Sequence, residues 1–166
     1  MQVTVLSATS GNNLKIATLI EKEFLASGIE CSLINLETLD LPLYMPSKEG
    51  EVPSGAIELK DALCKSQAYV VCGPEYNGSI PPVISNAIAW VSRSGAEDWR
   101  SAFNEKIAIV ATHSGGPGTK YLESMRIQLS HLGSVVFGRT LAANYQKELN
   151  MDSVKAIVSN VQKLIG

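Results

Sequence analysis

The sequence predicts an α/β fold in which helices cover both faces of a doubly wound parallel β-sheet. The first observation is alternation: short apolar runs are followed repeatedly by longer segments whose apolar residues recur at helical spacing. The second is that most short runs are continuously apolar, which is typical of strands buried on both faces. The third is size. The 166 residues, 45% of them hydrophobic, suffice for one core, so residues 1–166 are interpreted as a single domain.

Five strand candidates follow one another along the chain. The first four are rich in β-branched or other apolar residues, as in VTVL, AYVVC and KIAIVA, and the fifth, SVVF, is weaker. They span residues 3–6, 31–35, 68–72, 106–111 and 134–137.

Five helix candidates alternate with these strands. Their apolar residues recur three and four positions apart, and several of them begin or end at Asn, Ser, Pro or Gly, the residues that favour helix ends. They span residues 13–27, 54–65, 81–91, 119–132 and 151–164. The segment 39–53, rich in Pro, Glu, Lys and Ser, is the least regular part of the chain.

The alternation also predicts the strand order. Right-handed crossovers with helices on both faces give a doubly wound sheet, and at this length the flavodoxin-like order 2-1-3-4-5 is the natural arrangement. Ligands of such sheets bind beyond the carboxyl ends of the strands, where the strand order reverses. The loops after the first, third and fourth strands are therefore the candidate site.

Charge and cysteine content limit the partners and the compartment. A net charge of −2 and a pI near 5.7 give no positive excess for nucleic acid or for an anionic membrane surface, so neither partner is expected. The three cysteines lack metal-ligand spacing and lie in apolar stretches, which favours a reducing compartment. The amino terminus lacks the pattern of a signal peptide, and we expect a cytoplasmic protein.

The first candidate loop, residues 7–13, leaves an apolar strand and opens a helix. Its backbone N–H groups and the helix dipole can receive a phosphate, and its hydroxyl and amide side chains add donors. The loop contains no Lys or Arg and matches neither a P-loop nor a GxGxxG fingerprint. A monophosphate bound mainly by neutral donors is compatible with it, and so is an ordinary helix cap.

The second and third loops carry residues suited to a planar ligand. In the second, residues 73–82, Tyr76 can lie against a flat ring and Asn77 can offer a donor and an acceptor to its polar edge. In the third, residues 112–119, the glycines allow backbone amides to approach a ring closely. Taken singly, each loop is explained as well by turn, packing and capping residues, but three such loops in this order favour a ligand site.

The segment PEYNGSIPPVISNAIAWVSR, residues 74–93, closely resembles the PEYNGSIPGVLKNAIDW-type segment of the NAD(P)H-dependent FMN reductase family. Residues 7–17 and 114–129 are similar to the family's first and third loops with their following helices. The resemblance implies a flavodoxin-like fold, non-covalently bound FMN, and NADPH or NADH as co-substrate. It also implies a small-molecule acceptor, such as a flavin, quinone, azo compound or metal oxyanion, and a homodimer or homotetramer.

Carried over by matching position, the resemblance implies three sets of FMN contacts. The phosphate would lie among Ser7, Thr9, Ser10, Asn12 and Asn13. The isoalloxazine ring would lie against Pro74, Glu75, Tyr76 and Asn77. Its pyrimidine end would meet Ser114, Gly115 and Gly116. Because a flavin carries the redox chemistry itself, no catalytic acid or base is assigned.

The chain departs from the family pattern at several positions. The first loop lacks the Arg of many members, Pro82 stands where Gly is usual, Ala89 replaces an Asp, and Pro117 and Lys120 alter the third loop. The choice between NADPH and NADH is left open. The candidate partners of the extra NADPH phosphate are Arg93, Arg100, Lys120 and Arg126.

The remaining conspicuous residues are interpreted structurally. His113 and His131 are far apart in sequence and have no partners at metal-ligand spacing, so no metal site is expected. Cys72 is expected in the core. Trp90 and Trp99 are interpreted as packing or interface residues rather than as flavin partners across a subunit boundary.

Two other functions remain open from the residues alone. One is a flavodoxin-type one-electron carrier. Against it, Tyr76 is the one obvious aromatic residue in the two ring-facing loops, which indicates a less enclosed flavin, and the surface is not strongly acidic. The other is a non-enzymatic protein that binds a phosphate ligand, which the fold alone does not exclude.

Overall fold

The computed structural model describes residues 1–93 and 98–166. Within those residues, six strands form a single sheet and five α-helices pack on it. The strands are β1 (Gln2–Ser7), β2 (Glu30–Asn35), β3 (Ala68–Cys72), β4 (Ile107–Ser114), β5 (Val135–Val136) and β6 (Leu141–Asn144). The α-helices are α1 (Asn12–Ala26), α2 (Ser54–Lys65), α3 (Pro82–Arg93), α4 (Thr119–His131) and α5 (Met151–Ile165). Most predicted bounds are within two residues of these; the exceptions are the carboxyl end of β4 and the whole of β6.

The strand order confirms the predicted topology. The path through the sheet is β2-β1-β3-β4-β5, and these neighbours are parallel. Beyond β5, β6 also pairs with β4 in parallel, so the fifth position of the sheet consists of two short strands. Val135 lies opposite Ile107 near the start of β4, and Leu141 lies opposite Ala111 further along it.

The sequence prediction was wrong about this edge of the sheet. It ended the fourth strand at Ala111, whereas Thr112, His113 and Ser114 continue β4, because β6 pairs with them. It also missed β6, since the four residues Leu-Ala-Ala-Asn carry little β-branched character and follow an irregular segment. Pairing with β4 supplies the extended conformation that local preference does not indicate.

Alternation along each central strand fills two separate cores. In β3, Val70 and Cys72 pack towards α1 and α5, while Tyr69 and Val71 pack towards α2, α3 and α4. Because both faces of the strand are covered, its residues are all buried. This explains why the strand reads as a continuous apolar run.

The irregular segment after β2 is fastened to α3. The Asn86 side chain accepts a hydrogen bond from the Tyr44 N–H (2.8 Å) and donates to the Pro42 carbonyl (3.0 Å). The indole N–H of Trp90 donates to the same carbonyl (2.7 Å), and its ring meets the Tyr44 ring edge to face. Trp90 is only 1% exposed and is thus a packing residue of this chain.

Candidate flavin site

The carboxyl ends of β1, β3 and β4 bring the three candidate loops together around an open cleft. The cleft has a volume of about 290 Å³. Eight of the twelve predicted site residues line it: Thr9, Asn12, Asn13, Pro74, Glu75, Tyr76, Ser114 and Gly115. Gly116 lines an adjoining cavity that shares Glu75, Ser114 and Gly115 with the cleft. Ser7, Ser10 and Asn77 lie in the same loops without lining the cleft.

Two polar residues of the first loop bind the protein itself. Ser7 is buried at the end of β1, and its hydroxyl donates to the Thr9 carbonyl (2.8 Å). Asn13, 3% exposed, donates through Nδ2 to the His113 carbonyl (2.9 Å) and accepts through Oδ1 from the His113 N–H (2.8 Å). Asn13 therefore ties the start of α1 to the end of β4 and sets the spacing of two of the loops.

The rim of the first loop carries an anion from a neighbouring element. The Ser10 N–H donates to Oε2 of Glu37 (2.6 Å), and the Ser10 hydroxyl oxygen accepts from Asn35 Nδ2 (2.9 Å). Hydrogen bonds from the Ser10 hydroxyl and N–H lower the pKa of the Glu37 carboxyl, because they favour its charged form. On the other side of the loop, Lys15 Nζ donates to Asn12 Oδ1 (3.1 Å).

The second loop contains a tight turn. Tyr76 and Ser79 exchange backbone hydrogen bonds of 3.2 and 2.9 Å, and Asn77 and Gly78 between them have φ values of 51° and 72°. Two successive residues with positive φ are typical of the type I′ turn, for which Asn-Gly is the preferred pair. The turn holds Tyr76 at the rim of the cleft with its side chain about half exposed.

A chain of hydrogen bonds joins the second loop to β4. Thr112 donates its one hydroxyl hydrogen to the Gly73 carbonyl (2.7 Å), so the hydrogen bond between Thr112 and Ser114 (2.8 Å) runs from Ser114 to Thr112. The Ser114 oxygen in turn accepts from the Glu75 N–H (2.8 Å). The side chains of both strand residues are thus committed to shaping the loop, and both are buried.

Glu75 closes the connection to the third loop. Its Oε2 accepts from the backbone N–H groups of Lys120 (3.0 Å) and Tyr121 (3.4 Å), in the first turn of α4. These are donors that a helix cannot satisfy internally, and a carboxylate also complements the helix dipole there. Glu75 is therefore an N-cap supplied from a distant loop, and it fixes the position of the glycines between Ser114 and α4.

Sequence reasoning missed four residues of this region: Lys15, Glu37, His113 and Tyr145. The last two line the cleft, and their rings meet edge to face with centroids 5.1 Å apart. Tyr145 is 78% exposed and follows β6 directly. A predicted strand at β6 would have pointed to it, because the loop after any strand of a parallel sheet emerges at the same edge.

The four cations considered for the NADPH phosphate lie in different places. Arg93 pairs with Glu49 (3.0 Å), Arg126 donates to the Phe137 carbonyl (2.7 Å), and Arg100 lies over the Trp99 ring. Of the four, Lys120 lines the cavity that adjoins the cleft.

The donor set of the cleft fits FMN. The N–H groups of Asn12 and Asn13 open α1 and have no partner within the helix, and the Ser10 N–H already holds a carboxylate, so this loop binds anions. At Gly115 and Gly116, an added Cβ would meet no atom within 4 Å; Gly115 lines the cleft and Gly116 lines the adjoining cavity. Two tyrosines at the rim offer apolar surface to a ring.

The fold defines a flavodoxin-like α/β protein with an open cleft at the carboxyl ends of β1, β3 and β4. The sequence profile of the family described as NADPH-dependent FMN reductase matches residues 1–148, and the chain belongs to that family. The resemblance read from residues 74–93 is thereby confirmed, and the description of the family names FMN and NADPH, which the resemblance also implied.

Two curated proteins are similar in sequence. A 2-hydroxy-1,4-benzoquinone reductase from Burkholderia sp. is 30% identical over 121 residues, which cover 72% of this chain and 64% of the relative. The NADH:(hydroxy)cinnamate reductase subunit CrdA from Vibrio ruber is 28% identical over 107 residues, which cover 64% of this chain and 48% of the relative. The match thus spans less than two thirds of the length of either relative.

Solved structures show the same fold. FerB, a flavoenzyme NAD(P)H:(acceptor) oxidoreductase from Paracoccus denitrificans, superposes with a TM-score of 0.75 at 22% identity, covering 98% of this chain and 93% of that one. A flavodoxin from the domain Archaea superposes with a TM-score of 0.70 at 16% identity, covering 99% of both chains. In the described ranges, 1–93 and 98–166, no helix is long and apolar enough to cross a bilayer.

Proposed function

We propose that this chain is an FMN-dependent oxidoreductase that accepts hydride from NADPH or NADH and reduces a quinone or a similar small acceptor. The observation that carries the proposal is the convergence of an anion-binding helix start, a rim of two tyrosines and an open glycine backbone around one cleft. The quinone class is favoured by the similarity to the 2-hydroxy-1,4-benzoquinone reductase.

In this proposal the first loop positions the phosphate of FMN. Thr9 and Asn12 face the cleft and can donate from side chain or backbone, and Lys15 at the rim adds a positive charge. Ser7, Ser10 and Asn13 act mainly through their backbone and through the loop shape that their side-chain hydrogen bonds maintain.

The other two loops position the ring. Pro74, Glu75 and Tyr76 would form one side of its site, Asn77 would support them through the turn that holds Tyr76, and the backbone of Ser114, Gly115 and Gly116 would face its pyrimidine end. FMN, when bound, supplies the hydride and electron transfer itself. The chain contributes orientation and hydrogen-bond donors, which need no titrating side chain.

Reconstitution tests the proposal. Purified protein is mixed with FMN, freed of excess by gel filtration, and given NADPH or NADH with a benzoquinone acceptor while the flavin absorbance is recorded. We expect bleaching by at least one nicotinamide and turnover when quinone is added. A hydroxycinnamate in place of the quinone compares the two acceptor classes that the relatives' names suggest. Retained FMN that neither nicotinamide bleaches would contradict the reductase proposal.

One observation favours a second candidate, the one-electron carrier. Tyr145 is a second aromatic residue at the cleft, so a flavin bound there would be more enclosed than the two ring-facing loops indicated. A carrier would retain FMN, resist reduction by nicotinamides and accept electrons singly from a protein donor. Titration with dithionite distinguishes the two, because a carrier stabilises the one-electron-reduced flavin and a two-electron reductase does not.

A homodimer or homotetramer in the cytoplasm is part of the proposal. The apolar residues of α3 do not support the oligomer, because Ile84, Ala87 and Val91 are buried within this chain. Ile127 on α4 and Trp99 near it support it better, since both are large and exposed. Light scattering at micromolar concentration checks the assembly; a monomer would contradict it. The three free cysteines support a reducing compartment.

A further inference from the structure

Glu37 occupies a backbone donor at the rim of the loop that is proposed to bind the FMN phosphate. Its carboxylate accepts the Ser10 N–H at 2.6 Å, on the loop proposed to bind the FMN phosphate. Backbone amides of such a loop are the donors that receive a phosphate at a helix start. An anionic side chain already uses one of them.

The carboxylate is held there by a closed set of contacts. Asn35, at the end of β2, accepts the Glu37 N–H through Oδ1 (3.2 Å) and donates through Nδ2 to the Ser10 hydroxyl oxygen (2.9 Å). The short 3-10 turn Leu36–Leu39, which begins after Asn35, fixes the backbone of Glu37 in this position. These contacts therefore hold the Glu37 side chain in a defined position next to Ser10.

Charge makes the arrangement unfavourable for a phosphate. A phosphate monoester carries between one and two negative charges at neutral pH, and a carboxylate on an adjacent donor repels it. Lys15 is the opposing cation, but it lies on the Asn12 side of the loop. Riboflavin, which has the same ring and no phosphate, does not meet this repulsion.

We propose that Glu37 is an internal anion that competes with the FMN phosphate for the first loop and thereby narrows the difference in affinity between FMN and riboflavin. The inference rests on the proposed function, since it assigns FMN to this cleft. Its consequence is a readily exchanged flavin: FMN must displace the carboxylate or bind beside it, and either course weakens the phosphate contribution.

Fluorescence titration of FMN and riboflavin tests the inference. In Glu37→Gln the side chain keeps its shape and an oxygen acceptor for Ser10 but loses its charge. We expect this variant to bind FMN about tenfold more tightly than the parent and riboflavin within twofold of it, a difference corresponding to about 1.4 kcal/mol. Because salt screens the repulsion between the carboxylate and the phosphate, the gain in FMN affinity should fall below about threefold at roughly 0.5 M salt. Glu37→Ala should show the same selectivity for FMN.

The matched control is Glu30→Gln, at the start of β2, the strand that precedes the turn of Glu37, where the side chain is exposed. It makes the same change of net charge and should leave both affinities unchanged. An equal gain in Glu30→Gln would mean that overall charge, and not the position of Glu37, sets the affinity. Unchanged or weaker FMN binding by Glu37→Gln would overturn the inference and make Glu37 a residue that only shapes the loop.

A second measurement separates this inference from the proposed function. Inorganic phosphate at tens of millimolar, compared with chloride at equal ionic strength, should raise the melting temperature of Glu37→Gln by a few degrees more than that of the parent. If no flavin binds any variant but this difference persists, the flavin assignment fails and the competing anion stands. If flavin binds and neither readout distinguishes the variants, the proposed function stands and the inference fails.

Discussion

The end of the cleft that is proposed to bind the flavin ring (the ring end) and the end that is proposed to bind the phosphate (the phosphate end) are built in different ways. At the ring end, polar groups of the second loop, β4 and α4 satisfy one another, through the chain from Glu75 to Ser114, Thr112 and Gly73. At the phosphate end, an exposed carboxylate from the β2 side occupies a loop amide. The ring end is thus complete without a ligand, whereas the phosphate end contains an interaction that a ligand can replace.

This difference indicates that the two ends of the site have different roles. Buried, mutually satisfied hydrogen bonds rigidify a structure, because breaking any one leaves an unsatisfied group in a low-dielectric interior. An exposed hydrogen bond costs little to exchange, since water or another anion substitutes for the lost partner. We therefore expect the ring end to set the geometry of the site and the phosphate end to set how tightly the ligand is retained.

The largest effect is expected from the residue that joins the two ends. Asn13→Ala removes both hydrogen bonds to the partly buried backbone of His113 and should lower the free energy of unfolding by about 2–4 kcal/mol. For a chain of this size, the melting temperature should fall by roughly 5–15 °C. Asn12→Ala is the matched control, because this neighbouring side chain accepts an exposed hydrogen bond from Lys15 and its loss should cost under about 0.5 kcal/mol. Equal losses in both variants would show that the two ends are not coupled through Asn13.

A smaller loss is expected at the ring end alone. Thr112→Val keeps the shape of the side chain but leaves the Gly73 carbonyl and the Ser114 hydroxyl without their partner, at a cost of about 1–3 kcal/mol. Urea unfolding measures the loss. Thr119→Val, at an exposed position on α4, is the control variant, and its free energy of unfolding should stay near that of the parent. If Thr112→Val were as stable as the parent, the ring end would not be the rigid part of the site.

The helix N-cap supplied by Glu75 should contribute less to the free energy of unfolding than Thr112 does, and more to ligand binding. Glu75→Gln keeps an acceptor for the first turn of α4 but loses the charge that complements the helix dipole, so we expect a loss of about 0.3–1 kcal/mol. FMN and riboflavin should weaken together, because the change lies at the ring end. Glu51→Gln, in an exposed loop, is the control. Selective weakening of FMN alone would contradict the separation of the two ends.

The smallest effect is expected in thiol reactivity, which reports on how the ring end opens. Cys64 is exposed and should react with a disulfide reagent at once. Burial, with Glu21 nearby, raises the pKa of Cys31 to about 12, so about one thiol in ten thousand is ionised at pH 8. Burial also raises the pKa of Cys72, which directly precedes the second loop.

We therefore expect one fast thiol in the native protein and three after unfolding, with Cys64→Ser removing the fast phase. Glu37→Gln should leave the slow phase unchanged, since it acts at the other end of the cleft. A fast Cys72 in the parent would show that the ring end opens readily and would reverse the comparison.

Much of the fold was predictable because its signal is local. Each central strand is buried on both faces and each helix on one, so apolar runs and helical spacing carry the information. Boundaries matched closely where those patterns are strong, as in β3 and α2. The pattern failed at β6, whose extended conformation depends on pairing with the last residues of β4.

The site was predictable only in part. The three loops could be placed at one edge of the sheet, because parallel strands all end there. Their side-chain partners could not be placed: Glu37 meets Ser10 across 27 positions and Asn13 meets His113 across 100. Tyr145 lines the cleft because it follows β6, a strand that the sequence pattern did not indicate.

The sequence by itself determined the main strands and helices, because burial dictates the periodicity of apolar residues. The rule of right-handed crossovers then gave the strand order and the edge of the sheet where the loops gather. Tertiary structure alone decided which polar groups satisfy one another and which remain available to a ligand. Hydrogen bonds join groups that are close in space and leave no regular trace along the chain. The physical difference between the rigid ring end and the exchangeable phosphate end is therefore visible only in the folded protein.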